Sequence, residues 1–121
     1  MKSLIIIAHG SKKESSNDEV KKIVENVRKY KTSYTNIEVS FLEFESPSLE
    51  DSVKKCIELK SHQISIYPYF LNSGKHVTFD IPNTVEKLKT KYQKTSFLIL
   101  PHFGKSESVT EIILSDININ Q

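Results

Sequence analysis

The chain has one cysteine, no tryptophan, only three glycines and no long apolar run. With Cys56 alone, an internal disulfide is impossible and a zinc site built on thiolates is not expected. That economy in cysteine implies a reducing compartment, and the cytoplasm is the default expectation. No stretch is long enough to span a bilayer. The opening "MKSLIIIAHGSKK" is not expected to act as a secretory signal, because its apolar run ends after Ala8 in His-Gly-Ser without a cleavage pattern. Charge of one sign is also lacking: 17 basic and 15 acidic residues leave +2. That gives no global case for nucleic acid, although it permits a locally basic mouth. Neither G-x-G-x-x-G nor G-x-x-x-x-G-K-[ST] occurs, so no nucleotide is expected. The G-x-S-x-G elbow of Ser-His hydrolases is missing too. Without a glycine-rich linker or low-complexity tract, residues 1–121 are expected to form a single domain.

What is present is a repeated unit, a short apolar run followed by a helical pattern. "SLIIIAH" is nearly continuously apolar, as in a strand buried on both faces. A helix is expected from about Asn17 to Lys31, with Val20, Ile23, Val24 and Val27 on one face. "NIEVSFLE" alternates Ile37, Val39 and Phe41 with Glu38 and Ser40, which predicts an edge strand covered more on one side. "SPSLEDSVKKCIELK" predicts a helix capped by Ser46, with Pro47 in its first turn. A third strand, "QISIYPYF", leads into a connection of about ten residues, then a helix from about Pro82 to Tyr92. "TSFLILP" is the fourth strand, "SESVTEIILSDI" the last helix, and the terminal "NINQ" is expected to fray. Strand and helix in strict alternation give a parallel sheet with helices on both faces. Such sheets bind ligands beyond the carboxyl ends of their strands, where the winding reverses.

Position then separates the four histidines. His9 ends the first strand and His76 lies in the connection "FLNSGKHVTFDIP" after the third, both at the carboxyl edge. If those strands are neighbours, the two imidazoles face one crevice. His62 precedes the third strand at the opposite edge, and His102 follows the outer strand. Each of the first pair also has a plain structural reading: His9 as a strand-terminal residue bonded to the next turn, His76 as a helix-start residue. Neutral imidazole is the commonest metal ligand and can also take a proton. Glu43 reaches the same edge at the end of strand two, with Glu45 two residues on. Lys12, Lys13, Lys75 and Lys105 fall in loops around it. Gly10, Ser11, Ser73, Gly74 and Lys75 flank the two histidines and are candidate ligand contacts, although Ser11 and Ser73 also read as turn formers.

Together "LIIIAHGS", "FLEFESPSLEDSV", "YPYFLNSGKHVTFDIP" and "LPHFGKSESVTEII" resemble the small class II tetrapyrrole chelatases, the short sirohydrochlorin cobaltochelatases and their iron and nickel relatives. The resemblance covers nearly the whole chain. It implies a three-layer α/β/α fold, a chelatase variant of the flavodoxin-like sheet, with four parallel strands in the order 2-1-3-4. It also implies His9 and His76 as metal-site residues, with Glu43 as a third catalytic group. The substrates implied are sirohydrochlorin and a divalent metal, cobalt first, then iron or nickel, for cobalamin or sirohaem-type cofactor synthesis. A homodimer of single halves is implied as well. Two rivals remain. One is a carrier of metal or tetrapyrrole without turnover; the other is a flavodoxin-like domain binding phosphate on the "HGSKK" turn.

Overall fold

A computed structural model describes residues 1–119. Its elements are β1 (Lys2–Ala8), α1 (Glu14–Arg28), β2 (Asn36–Phe41), α2 (Leu49–Glu58), β3 (Gln63–Pro68), a π-helical turn (His76–Asp80), α3 (Ile81–Lys91), β4 (Ser96–Ile99), a 3₁₀ turn (Phe103–Lys105) and α4 (Ser108–Ile119). The four strands are parallel in the order β2-β1-β3-β4. The winding reverses between β1 and β3, which pair from Lys2 opposite Gln63 to Ile7 opposite Pro68. His9 and the loop after β3 therefore leave the sheet side by side.

β1 lies at the centre, and Leu4 to Ala8 are all buried. Its alternate side chains feed two cores. Ile5 and Ile7 join Ile64, Ile66, Val53, Ile81 and Val85 under α2 and α3. Leu4 and Ile6 join Val24 and Ile37 under α1. Each isoleucine removed from water in this way contributes roughly 1.5–3 kcal/mol. Cys56 is buried on the inner face of α2, and burial pushes its thiol above the usual range, away from the reactive thiolate.

Three expectations shift. Helix α1 begins at Glu14, not Asn17, and ends at Arg28. The polar start "ESSN" carries no apolar period, and buried Asn17 instead pins the preceding turn, accepting from Ser11 N–H and donating to Ser11 C=O. Helix α2 is capped by Ser48, whose hydroxyl accepts from Asp51 N–H while the Asp51 carboxylate accepts from Ser48 N–H, so Ser46 and Pro47 stay outside it. Strand β2 is an edge strand, but Glu38 and Ser40 are buried as well as Ile37 and Phe41. Glu38 is admitted because Lys55 Nζ stands 3.1 Å and Arg28 Nη2 3.7 Å from its carboxylate. Of the terminal residues expected to fray, Asn118 and Ile119 belong to α4, while Asn120 and Gln121 lie outside the described residues.

Helix α4 does not cover the sheet. Residues 110–118 are all exposed, including Ile112, Ile113, Leu114 and Ile117. On β4, Leu98 is also exposed, whereas its neighbours Phe97 and Ile99 pack into the core under α3.

Candidate metal centre at the carboxyl edge of the sheet

Both histidines that the sheet order brings to the crevice do meet. Their ring centroids lie 4.8 Å apart, edge to face at 64°. His9 follows the last residue of β1. Its Nδ1 stands 2.9 Å from Gly10 C=O, an acceptor only, so Nδ1 carries the proton. The Nε2 lone pair then faces Glu43 Oε1 at 3.0 Å. Glu43 thus stands against the outward nitrogen of His9, where the two can act on the same ion or proton.

His76 is placed by a different device. Pro82 has no N–H to give to the carbonyl four residues back, and its ring presses on that carbonyl. The turn before it opens, so that Ile81 N–H bonds to His76 C=O across five residues. His76 Nδ1 donates to Asp80 Oδ2 at 2.7 Å, which fixes the ring and leaves Nε2 as the free donor atom. A carboxylate behind a ligating imidazole orients it and raises its basicity. Asp80 is not among the residues that the sequence pattern singles out. The signal was available, since an acid four residues after a histidine falls on the same helical face.

Glu43 stands beside His9, and Glu45 turns away from it. Glu45 Oε1 accepts from Ser46 N–H at 2.9 Å, and its Oε2 lies 3.2 Å from Lys21 Nζ. The Ser46 amide and Lys21 hold its carboxyl below the usual range. Its work is to tie the loop after β2 to α1.

The connection after β3 is shorter than expected, residues 69–75, because His76 already begins the π turn. Ser73, Gly74 and Lys75 are exposed at the mouth beside it. A methyl added at Gly74 would meet nothing within 4 Å. Gly10 is different: its φ is +91°, and a Cβ there would overlap the Glu43 carbonyl. Ser11 is taken up by the turn, its hydroxyl accepting from Lys13 N–H at 3.0 Å. The amides of Ser11 and Lys13 are thus both spent, on the Asn17 side chain and the Ser11 hydroxyl, which weakens the phosphate-cradle reading. Lys12, Lys13, Lys75 and Lys105 are exposed around the opening. His62 sits at the far edge against Met1, and His102 precedes the 3₁₀ turn after β4.

His76 and Asp80 also wall an open groove of about 450 Å³ between α2 and α3, together with Glu43, Ser48, Glu50 and Asn83. A smaller pocket of about 280 Å³ lies on the other side of His76, against Phe70, Leu71 and Val77. Among the described residues, no three His, Cys, Asp or Glu side chains are arranged as a ready-made cage for an ion. The site is two imidazoles on an open edge, each paired with a carboxylate, Asp80 behind His76 and Glu43 in front of His9.

The parallel 2-1-3-4 sheet, with two imidazoles meeting at its reversal, defines a small three-layer α/β protein with a ligand edge at the carboxyl ends of its strands. The family model described as CbiX matches residues 3–119, and the chain belongs to that family. It is 30% identical over 118 residues to the sirohydrochlorin ferrochelatase of Priestia megaterium, covering 98% of this chain and 44% of that protein. It is also 30% identical over 93 residues to the sirohydrochlorin cobaltochelatase of Methanocaldococcus jannaschii, covering 77% of this chain and 64% of that one. The chain thus spans about half the length of the curated relatives it matches. Among solved structures, it superposes on the sirohydrochlorin chelatase SirB from Bacillus subtilis subspecies spizizenii in complex with cobalt. That match has a TM-score of 0.88 at 21% identity, over 97% of this chain and 50% of that one.

Proposed function

We propose that this protein inserts a divalent metal ion into sirohydrochlorin, without nucleotide, in the cytoplasm. The observation that carries the reading is the pair of imidazoles 4.8 Å apart, with Nδ1 of each ring committed, Nε2 of His76 outward and Nε2 of His9 shared with Glu43. Family membership and the chelatases among the relatives support it.

Insertion exchanges one metal ion for two pyrrole protons. The site holds two imidazole–carboxylate pairs, His9 with Glu43 and His76 with Asp80. Each pair can take up one proton at Nε2, with its carboxylate stabilising the imidazolium formed. Before that, the same lone pairs hold the incoming ion through neutral imidazole. Few protein ligands on an open edge let the ion leave for the four nitrogens of the macrocycle. The exposed lysines suit the eight carboxylates of sirohydrochlorin. Imidazole serves cobalt, iron and nickel alike; we place cobalt first, with iron a near alternative, since the relatives include chelatases of both.

An anaerobic absorbance assay with sirohydrochlorin and each of the three metals, at substoichiometric protein, tests this directly. Many turnovers with at least one metal are expected, with no effect of added ATP. Stoichiometric binding without turnover for every metal would favour the carrier.

We also propose that two copies pair. The exposed apolar residues of α4 and the bare Leu98 face of β4 support it, because monomers rarely leave such surfaces in water. Light scattering should report a dimer, and Ile113→Asp with Ile117→Asp should reduce it to monomer. A wild-type monomer at fully active concentrations would sink the idea.

A further inference from the structure

Phe44 is a bulky residue in left-handed backbone, at φ 68°, and its side chain is 55% exposed. Both facts are unfavourable for an aromatic residue that only builds a loop. Left-handed backbone is strained for residues other than glycine, and single outliers of this sort gather at functional sites. The surroundings hold the strain in place. Leu42 N–H bonds to Ala8 C=O and Glu43 N–H to His9 C=O, both at 3.0 Å, while Phe41 N–H bonds to Pro47 C=O at 2.9 Å. Glu45, tied to Ser46 and Lys21, anchors the far side. The loop is thus clamped along its length, and it delivers the ring beside His9.

The ring joins a chain of ring contacts. Its centroid is 6.5 Å from His9, His9 is 4.8 Å from His76, and His76 is 6.3 Å from Phe70. Lys12 Nζ stands 5.3 Å from the Phe44 centroid, and the ring remains more than half in water. A clamped apolar ring next to the metal-site imidazoles, with an ammonium group above it, fits a flat conjugated ligand that carries carboxylates at its rim.

Resting on the chelatase reading above, we propose that Phe44 is the docking face for the macrocycle, and that Lys12 pairs with one of its peripheral carboxylates. The ring supplies stacking area and sets the macrocycle's position relative to His9 without entering the metal's coordination.

The test separates strain from binding. Sirohydrochlorin is titrated by absorbance in the absence of metal, and cobalt alone is titrated by calorimetry, for wild type and for Phe44→Ala, Phe44→Asn, Phe44→Gly and Phe44→Trp. Alanine, asparagine and glycine should each weaken sirohydrochlorin binding roughly tenfold or more, as expected for loss of an aromatic contact. Cobalt affinity should stay within about twofold, since Phe44 donates no ligand. Tryptophan should retain tetrapyrrole binding. Asparagine and glycine tolerate left-handed backbone, so their melting temperatures should match or exceed that of wild type. A residue kept only for packing would show the reverse, with lower melting temperatures and unchanged sirohydrochlorin binding, and that result overturns the proposal. Normal insertion by all of these variants at wild-type KM would overturn it too, while leaving the chelatase reading intact. A wild-type protein with no affinity for sirohydrochlorin would remove both.

Discussion

Replacing His9 or His76 with alanine should lower turnover of sirohydrochlorin by about two orders of magnitude or more, the usual loss for a positioned proton acceptor. Each ring would be missed twice, once as a lone pair for the ion and once as a base for a pyrrole proton. Each removal would also strand its carboxylate, Glu43 in one case and Asp80 in the other, close to the reacting centre. His62→Ala should be silent, because His62 is exposed at the amino edge of the sheet beside Met1. His102→Ala should have a small effect, since it follows the outer strand β4. Steady-state rates, with circular dichroism to confirm folding, decide the matter. A folded His62→Ala as impaired as His9→Ala would show that the centre lies elsewhere.

Gly10→Ala should be the most damaging change to folding among the residues around the site. At φ +91° a Cβ is strained by roughly 1–2 kcal/mol. The methyl would also overlap the Glu43 carbonyl, which is held by the Glu43 N–H bond to His9 C=O and cannot withdraw cheaply. Overpacking of that kind adds roughly 1–3 kcal/mol, enough to lower the melting temperature of a domain this size by something on the order of 10 °C. The matching control is Gly74→Ala. With open space around it, that substitution should leave the melting temperature within a degree or two, or raise it slightly by restricting the unfolded chain. Equal melting temperatures for the two alanine variants, measured by calorimetry, would contradict the account of Gly10. Because Gly10 lets the β1 and β2 ends approach, its loss should separate His9 from Glu43 even in molecules that fold.

The strand and helix order was legible because each signal is local. A continuous apolar run such as Leu4 to Ala8 has one stable setting, between two helical layers. Starting residues were less so: α1 opens on a polar stretch that no hydrophobic period marks, and α2 is capped by Ser48, not by the expected Ser46. The alternation in β2 misled for a related reason. Glu38 reads as a solvent residue until Arg28 and Lys55, from the helices before and after the strand, converge on it.

For the candidate centre, the sequence alone determined which residues reach the carboxyl edge. His9, Glu43 and His76 follow parallel strands, and the direction of a parallel sheet places every such residue at one end. Tertiary structure decided what they do there. Whether two imidazoles touch depends on β1 and β3 pairing in a particular register, which is a long-range choice. The division of labour between Glu43 and Glu45 depends on Lys21 reaching across from α1 to claim the second of them. Asp80 became the partner of His76 through the turn opened ahead of Pro82, and Phe44 stands in water beside His9 because distant hydrogen bonds hold its strained backbone. Periodicity carries side-chain chemistry along one element, but contacts between elements exist only after the chain has closed on itself.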